Sequence, residues 1–339
     1  MFRWYMRVPL NSASTASGAS FLMGDSCIPR ALPLNLGSLI FRFLSSMQQF
    51  LNIWCDQYIT TWIFRVLCIK LICLNNDNMP TGEIMVLRLV ELSIAGTPEE
   101  SMQRFMEAAL LEPLPDLVFF PELFTTGYVL DDIPRLALQE DELKNLPPAD
   151  AARENGLWFV AGTYPVSTDR GVVNKMVVYS PGGELTYTTD KVHLFKQMGE
   201  DRAFAPGSCG GVFDLNGTAA AGIVCYDLRF PELARRLTLA GAEILFVPAQ
   251  WPSGRIKLFR SLLRARAAEA QVFVAGCNLG GEHLGVLFKG GGGVAHPGGK
   301  MLKGENVVEN VIDYDLDLSH VAEMRTHLNC LEDRRPEEY

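Results

Sequence analysis

Residues 85–339 predict an α/β protein, and three features of the sequence carry that expectation. Strand-like and helix-like runs alternate from Met85 onward. Several of the strand-like runs are apolar throughout, as strands buried behind helices are. Reactive side chains stand where such runs stop, the place where α/β folds expose functional groups.

The elements follow in order. MVLRLVELS (85–93) reads as a strand. Thr97-Pro98-Glu99-Glu100 then supplies an N-cap, a proline at the first helical position and a capping-box glutamate. Met102, Phe105, Met106, Ala109 and Leu110 continue at helical spacing. DLVFF (116–120) is a second strand that ends at Pro121-Glu122. LWFVAGTYPV (157–166), VNKMVVYSP (173–181) and, past the Gly182-Gly183 turn, ELTYTTDKV (184–192) are consecutive strands. TAAAGIV (218–224) is a buried strand stopping at Cys225, and Pro231 opens a short helix through Leu239. EILFVPAQ (243–250) and VFVAGCN (272–278) are strands on either side of a helix over roughly 255–270. Ile256, Phe259 and Leu263 mark the buried face of that helix, and the basic residues of 255–266 are mostly its solvated one. No repeat with a period of 20–50 residues is present.

The chain has 339 residues, a formal net charge of -9, 48% hydrophobic and 20% charged residues, which suits one large or two ordinary domains. The acidic balance, without any run of Lys and Arg, argues against nucleic acid as a partner. The composition also excludes a disordered or collagen-like chain. It breaks near residue 84: residues 1–84 hold six Lys/Arg and four Asp/Glu, leaving 24 and 35 for residues 85–339.

The first 84 residues are apolar without a usable period, and Arg42, Asp56, Arg65 and Lys70 interrupt every candidate membrane helix. No clear apolar run followed by a small-residue cleavage site marks a secretory signal. The expectation is an extension that is not a folded functional module, with Met85 as candidate start of the working protein, and a domain at 85–339.

Glu122 after DLVFFP, Lys191 after ELTYTTD and Cys225 after AAAGIV are the three reactive strand ends. A thiol needs a base to take its proton, and the charge that develops on a substrate carbonyl needs a cation or amide donors. A glutamate, a lysine and a cysteine supply those roles, although each also has a bland reading as helix cap, solvated strand end or small core residue. The strand-to-helix turn at Cys225-Tyr226-Asp227 would lift the thiol out of the sheet, as a hydrolase elbow does. A papain-type pairing would need a histidine, and His193 is the one inside a motif, where it better supports the strand end carrying Lys191. No H-E-x-x-H or C-x-x-C spacing points to a metal.

VFFPELFTTGY (118–128), DKVHLFKQMGEDRAFAPG (190–207) and GIVCYDLRFPEL (222–233) resemble the three signature blocks of the nitrilase, or carbon–nitrogen hydrolase, superfamily, in particular its ω-amidase-like branch. ILFVPAQWP (244–252), LLRARAAEAQVFVAGCN (262–278) and DRRPEEY (333–339) extend the likeness over 85–339. The resemblance implies an α-β-β-α four-layer sandwich, no cofactor, a small amide as substrate and a homodimer. It implies Cys225 as nucleophile, Glu122 as general base and then acid, and Lys191 with the Tyr226 N–H as oxyanion donors, with Glu200 positioning Lys191. A thioester would form and water would hydrolyse it. Nitrilase and N-carbamoyl amino acid hydrolysis use the same triad, and a catalytically inactive scaffold on the same fold is the reading from a different class.

Tyr128, Phe124, Arg229 and Trp251 lie in the blocks that flank the triad. An amide bearing a carboxylate calls for a guanidinium, with Arg229 and Arg255 the candidates, and Arg229 could equally pair with Asp227 or Glu232. Cys209, Cys277 and Cys330 show no paired framework, which fits a reducing, cytoplasmic setting. In FKGGGGVAHPGG (288–299), Gly292 stands where the family usually has serine, and four successive glycines imply close backbone packing or a loose edge. RIKLF (255–259) lacks the aromatic character common among relatives.

Overall fold

The computed structural model describes residues 84–338. The expectations for residues 1–83 lie outside the described part. The chain opens on β1 (Ile84–Val90), followed by α1 (Pro98–Ala109), β2 (Leu117–Phe119), the single turn α2 (Ile133–Leu136), α3 (Pro147–Asn155), β3 (Trp158–Thr168), β4 (Gly171–Tyr179) and β5 (Leu185–Asp190). Helix α1 starts as the sequence predicts, because the Thr97 side chain accepts from Glu100 N and the Glu100 carboxylate accepts from Thr97 N. The second half holds β6 (Phe213–Leu215), β7 (Thr218–Gly222), α4 (Pro231–Leu239), β8 (Ile244–Ala249), α5 (Ile256–Ala270) and β9 (Phe273–Asn278). It closes with β10 (Gly280–His283), β11 (Val286–Lys289), β12 (Gly293–Ala295), β13 (Glu305–Val308), β14 (Val311–Asp317) and α6 (His320–His327).

A seven-stranded sheet runs β13-β14-β1-β2-β3-β4-β5, and a five-stranded sheet runs β12-β9-β8-β7-β6. Strands β1, β2 and β3 are mutually parallel, as are β7, β8 and β9, with helices making the crossovers. The period-2 alternation of side chains explains why the strands read as continuously apolar. Leu117 and Phe119 face one core while Val118 and Phe120 face another, and Met176 and Val178 alternate likewise with Val177 and Tyr179. The first core lies between the two sheets, where the Phe119 and Phe246 rings meet edge-on at 5.4 Å. The second lies between the larger sheet and helices α1 and α3, with Phe105 against Phe120. Helix α5 packs on β9 and β12 at the far side, and α4 packs on α5. The result is the four-layer α-β-β-α sandwich that the resemblance implied.

The basic residues of α5 are mostly exposed as expected, with Arg266 the exception: it is buried, donates to Leu228 O at 3.1 Å and pairs with Glu269. The glycine run resolves in favour of close packing: a Cβ on Gly292 would lie 2.1 Å from Gly276 O and 2.5 Å from Glu91 Oε1. Arg88, a cation inside an apolar strand, is fully buried and donates to Asp313 and to the carbonyls of Ala109, Leu111 and Pro113. It thereby ties the end of α1 to β14, and its burial is compensated by a carboxylate and three carbonyls.

Candidate active site

Glu122, Lys191 and Cys225, far apart in sequence, meet at the ends of β2, β5 and β7. The backbone is bent hard at two of these ends. Cys225 has φ 48° and Leu123, next to Glu122, has φ 41°, both in the left-handed region that L-residues rarely adopt. The turn at Cys225 ends β7 and runs into a 3-10 turn over Cys225–Arg229, so the thiol leaves the sheet at the elbow the sequence predicted.

Lys191 is the centre of the polar cluster. Its Nζ donates to Glu122 Oε1 at 2.8 Å, to Glu200 Oε1 at 2.8 Å and to Tyr128 Oη at 2.7 Å, which uses all three of its donors. The three ionic side chains are almost fully buried, at 1%, 0% and 0% exposure. Burial alone would favour the neutral amine, but the Glu122 and Glu200 carboxylates outweigh it and hold the ammonium charged, well above the ordinary lysine value. Glu200, a surface acid if taken as a lone residue, is raised by burial against the pull of Lys191, and its second oxygen accepts from Phe195 N at 2.6 Å.

Glu122 Oε1 also accepts from Tyr128 Oη–H at 2.5 Å and from Asn174 Nδ2 at 2.9 Å, while Oε2 has no hydrogen-bond partner. The Cys225 thiol is pushed well above its usual value by burial and by the Glu122 carboxylate, with Lys191 pulling the other way. It therefore rests as a neutral thiol at neutral pH, next to the Glu122 carboxylate. Tyr128 is likewise held protonated by burial and the two carboxylates.

Asp227 is buried, and its carboxylate accepts from Val192 N, His193 N and Val224 N and pairs with His193 Nδ1 at 2.8 Å. Its pKa is raised by burial, opposed by these hydrogen bonds. His193 is thus turned toward Asp227 and stacked on Phe230 with ring centroids 3.6 Å apart, the supporting role expected of it.

A cavity of about 50 Å³ opens onto Cys225 and Lys191, with Tyr128, Trp251, Arg229 and Arg255 among its walls. The Arg229 guanidinium lies 5.1 Å from the centre of the Trp251 ring and 5.9 Å from that of Tyr226, and Arg255 lies 5.9 Å from that of Phe195. Phe124 is a correction: it is fully buried in the helix-side core, where its ring packs against Phe105, Phe120 and Tyr164 and does not line the cavity. Gln250 escaped the sequence reading; its Nε2 donates to Glu122 O at 2.7 Å and it lines the cavity. An apolar groove of about 560 Å³ runs along α1 and is lined by none of Glu122, Lys191 and Cys225.

The carbon–nitrogen hydrolase family model matches residues 88–326. The 2-oxoglutaramate amidase of Bacillus subtilis (strain 168) is 35% identical over 224 residues, covering 66% of this chain and 86% of that protein. The omega-amidase YafV of Escherichia coli (strain K12) is 31% identical over 220 residues, covering 64% and 84%. Among solved structures, an amidase from Nesterenkonia sp. AN1 superposes with a TM-score of 0.63 at 26% identity, covering 75% of this chain and 100% of that one. A mutant of that amidase carries the acetamide moiety of fluoroacetamide covalently at its active-site cysteine. With the fold, the strand-end geometry and these likenesses together, the chain belongs to the carbon–nitrogen hydrolase family.

Proposed function

We propose that the protein is an amidase that cleaves a short amide bearing a distal carboxylate to the acid and ammonia, with Cys225 as nucleophile. The observation that carries this reading is the buried contact set in which the Glu122 carboxylate is held through one oxygen by Lys191 and also faces a neutral Cys225 thiol. Glu122 Oε2 takes the thiol proton as sulfur attacks the amide carbon. The carbonyl oxygen, as it becomes negative, accepts hydrogen bonds from Lys191 and the Tyr226 N–H. It replaces Tyr128 on the ammonium, since that is the neutral one of the three partners and the least costly to give up.

Glu122 passes its proton to the nitrogen and ammonia leaves a thioester. Glu122 then draws a proton from water, which adds to the thioester, and the collapse returns the proton to the sulfur. Glu200 holds Lys191 throughout. General base work of this kind is worth roughly 10²–10⁴ in rate.

The cavity walls support the carboxylated substrate class. The Arg229 and Arg255 guanidiniums lie over the Trp251 and Phe195 rings among the cavity walls, and a guanidinium there supplies paired donors for a carboxylate. The relatives named for 2-oxoglutaramate and for ω-amides fit the same chemistry. A homodimer in the cytoplasm completes the reading; it is supported by the family likeness and by Cys209, Cys225, Cys277 and Cys330 all being free thiols. Ammonia release from short ω-amides, matched neutral amides, nitriles and N-carbamoyl amino acids tests it, and activity confined to nitriles overturns it. Cys225→Ala is expected to be folded and without turnover, as followed by circular dichroism and ammonia release.

A further inference from the structure

Behind the cavity wall lies a buried polar chain to which the reaction above assigns no step. Asn278, the last residue of β9, is fully buried and spends its whole side chain on backbone. Oδ1 accepts from Trp251 N at 2.6 Å, and Nδ2 donates to Trp251 O at 3.0 Å and to Gly290 O at 2.8 Å. One side-chain amide therefore grips Trp251 at both its N–H and its C=O, which leaves that residue little freedom to rotate.

Asn278 is gripped in turn. Its N–H donates to Glu91 Oε1 at 2.8 Å, and the same carboxylate accepts from Gly291 N at 2.8 Å and Gly292 N at 2.9 Å. The glycine run is what lets the backbone wrap this carboxylate, since a Cβ on Gly290 would fall 2.6 Å from Glu91 Oε2. The chain of contacts ends in the cavity, where the Trp251 ring is the platform beneath the Arg229 guanidinium.

We infer that Asn278, held by Glu91, is a positioning residue for substrate recognition: it fixes Trp251 and through it the guanidinium that binds the substrate carboxylate. The inference rests on the carboxylated-amide reading above. Asn278 touches neither Cys225 nor Lys191 by any hydrogen bond described, so it acts on binding and leaves the bond-breaking steps alone.

The test is steady-state kinetics of the full chain on succinamate, a carboxylated amide, and butyramide, a neutral one, for the wild type, Asn278→Ala, Arg229→Met and the double variant. The wild type is expected to favour succinamate. Asn278→Ala is expected to raise KM for succinamate about tenfold, with kcat and the butyramide kcat/KM held within about threefold. In the Arg229→Met background the same substitution should add almost nothing, because both act on one contact.

Additive losses, or an equal fall on both substrates, overturn the inference, since that is what a merely structural residue would give. A wild type without preference for succinamate overturns the carboxylate reading and the inference with it. A preference that survives unchanged in Asn278→Ala overturns the inference alone. Should Asn278→Ala fail to fold, Asn278→Ser, which keeps one hydrogen bond toward Trp251, is run through the same cycle and must show the same non-additivity.

Discussion

Replacing Lys191 by methionine removes the one cation from a cluster that holds two buried carboxylates. Glu122 and Glu200 each bond the same ammonium at 2.8 Å and are fully buried. Without the ammonium, their charges face each other across a space that methionine fills with apolar atoms. Breaking one buried pair costs roughly 3–5 kcal/mol, because a charge is left without compensation. For a domain of this size that corresponds to a fall in Tm of roughly 6–20 °C.

The sign with pH follows from the same cluster. In the variant a carboxyl takes up a proton well above its usual range, so the folded state binds a proton that the unfolded chain releases. The deficit is then largest at pH 8 and shrinks on acidification. Urea unfolding of wild type and Lys191→Met at pH 8 and pH 5.5 measures both quantities. A deficit of equal size at the two values, or none at either, would refute the claim that the ammonium neutralises two buried carboxylates. Turnover should drop by about 10²–10³ as well, as for loss of one oxyanion donor.

Three further outcomes are expected. Glu122→Gln removes the carboxylate that pushes the thiol up while Lys191 still pulls it down. The pH midpoint for alkylation of Cys225 by iodoacetamide, read by mass spectrometry, should therefore fall below that of the wild type even as turnover drops about 10²–10⁴; a higher midpoint contradicts the assignment. Glu91 is raised by burial from 4.5 to about 7, against the hydrogen bonds from Asn278, Gly292 and Gly291. Stability from this group is therefore fully present below pH 4.5 and lost as pH rises through 7, by on the order of 3 kcal/mol, and the difference between wild type and Glu91→Gln in urea unfolding should show that slope. Arg88→Ala should cost roughly 3–5 kcal/mol in the same assay with kcat nearly unchanged in the folded fraction, since it strands Asp313 and three carbonyls away from the site.

Glu122, Lys191 and Cys225 were legible as candidates because each stands where a strand-like run stops, and the end of a strand is a local property. Helix α1 was legible for the same reason: its capping box spans Thr97 to Glu100. Glu91, Asn278, Asp227 and Gln250 were not, because their partners are set by topology. Glu91 meets Asn278 across 187 positions and Gln250 meets Glu122 across 128. One signal was present. An acid in VELS and an asparagine closing VFVAGCN are polar groups inside apolar runs, and such groups when buried must find partners. The β13–β14 hairpin was also within reach, since Glu309-Asn310 separates two β-branched runs and Asn310 takes φ 62°.

What these partners have in common is that each takes hold of another strand end by its backbone. Asp227, two residues past the thiol, collects Val192 N and His193 N just past Lys191 and Val224 N just before Cys225, so one carboxylate sets the ammonium loop against the thiol loop. Asn174 on β4 donates to Glu122 Oε1, and its own carbonyl accepts from Lys191 N. Gln250, just past β8, holds the Glu122 carbonyl, Asn278 past β9 holds Trp251, and Glu91 past β1 holds Asn278. A strand end has unpaired backbone groups and would otherwise fray, and strained residues such as Leu123 and Cys225 persist only where their surroundings over-determine them. Backbone-directed carboxylates and amides supply that constraint at the ends that carry Glu122, Lys191 and Cys225, and again at the Trp251 wall of the cavity. This explains how a thiol, a carboxylate and an ammonium drawn from both sheets can be held together in one buried cluster.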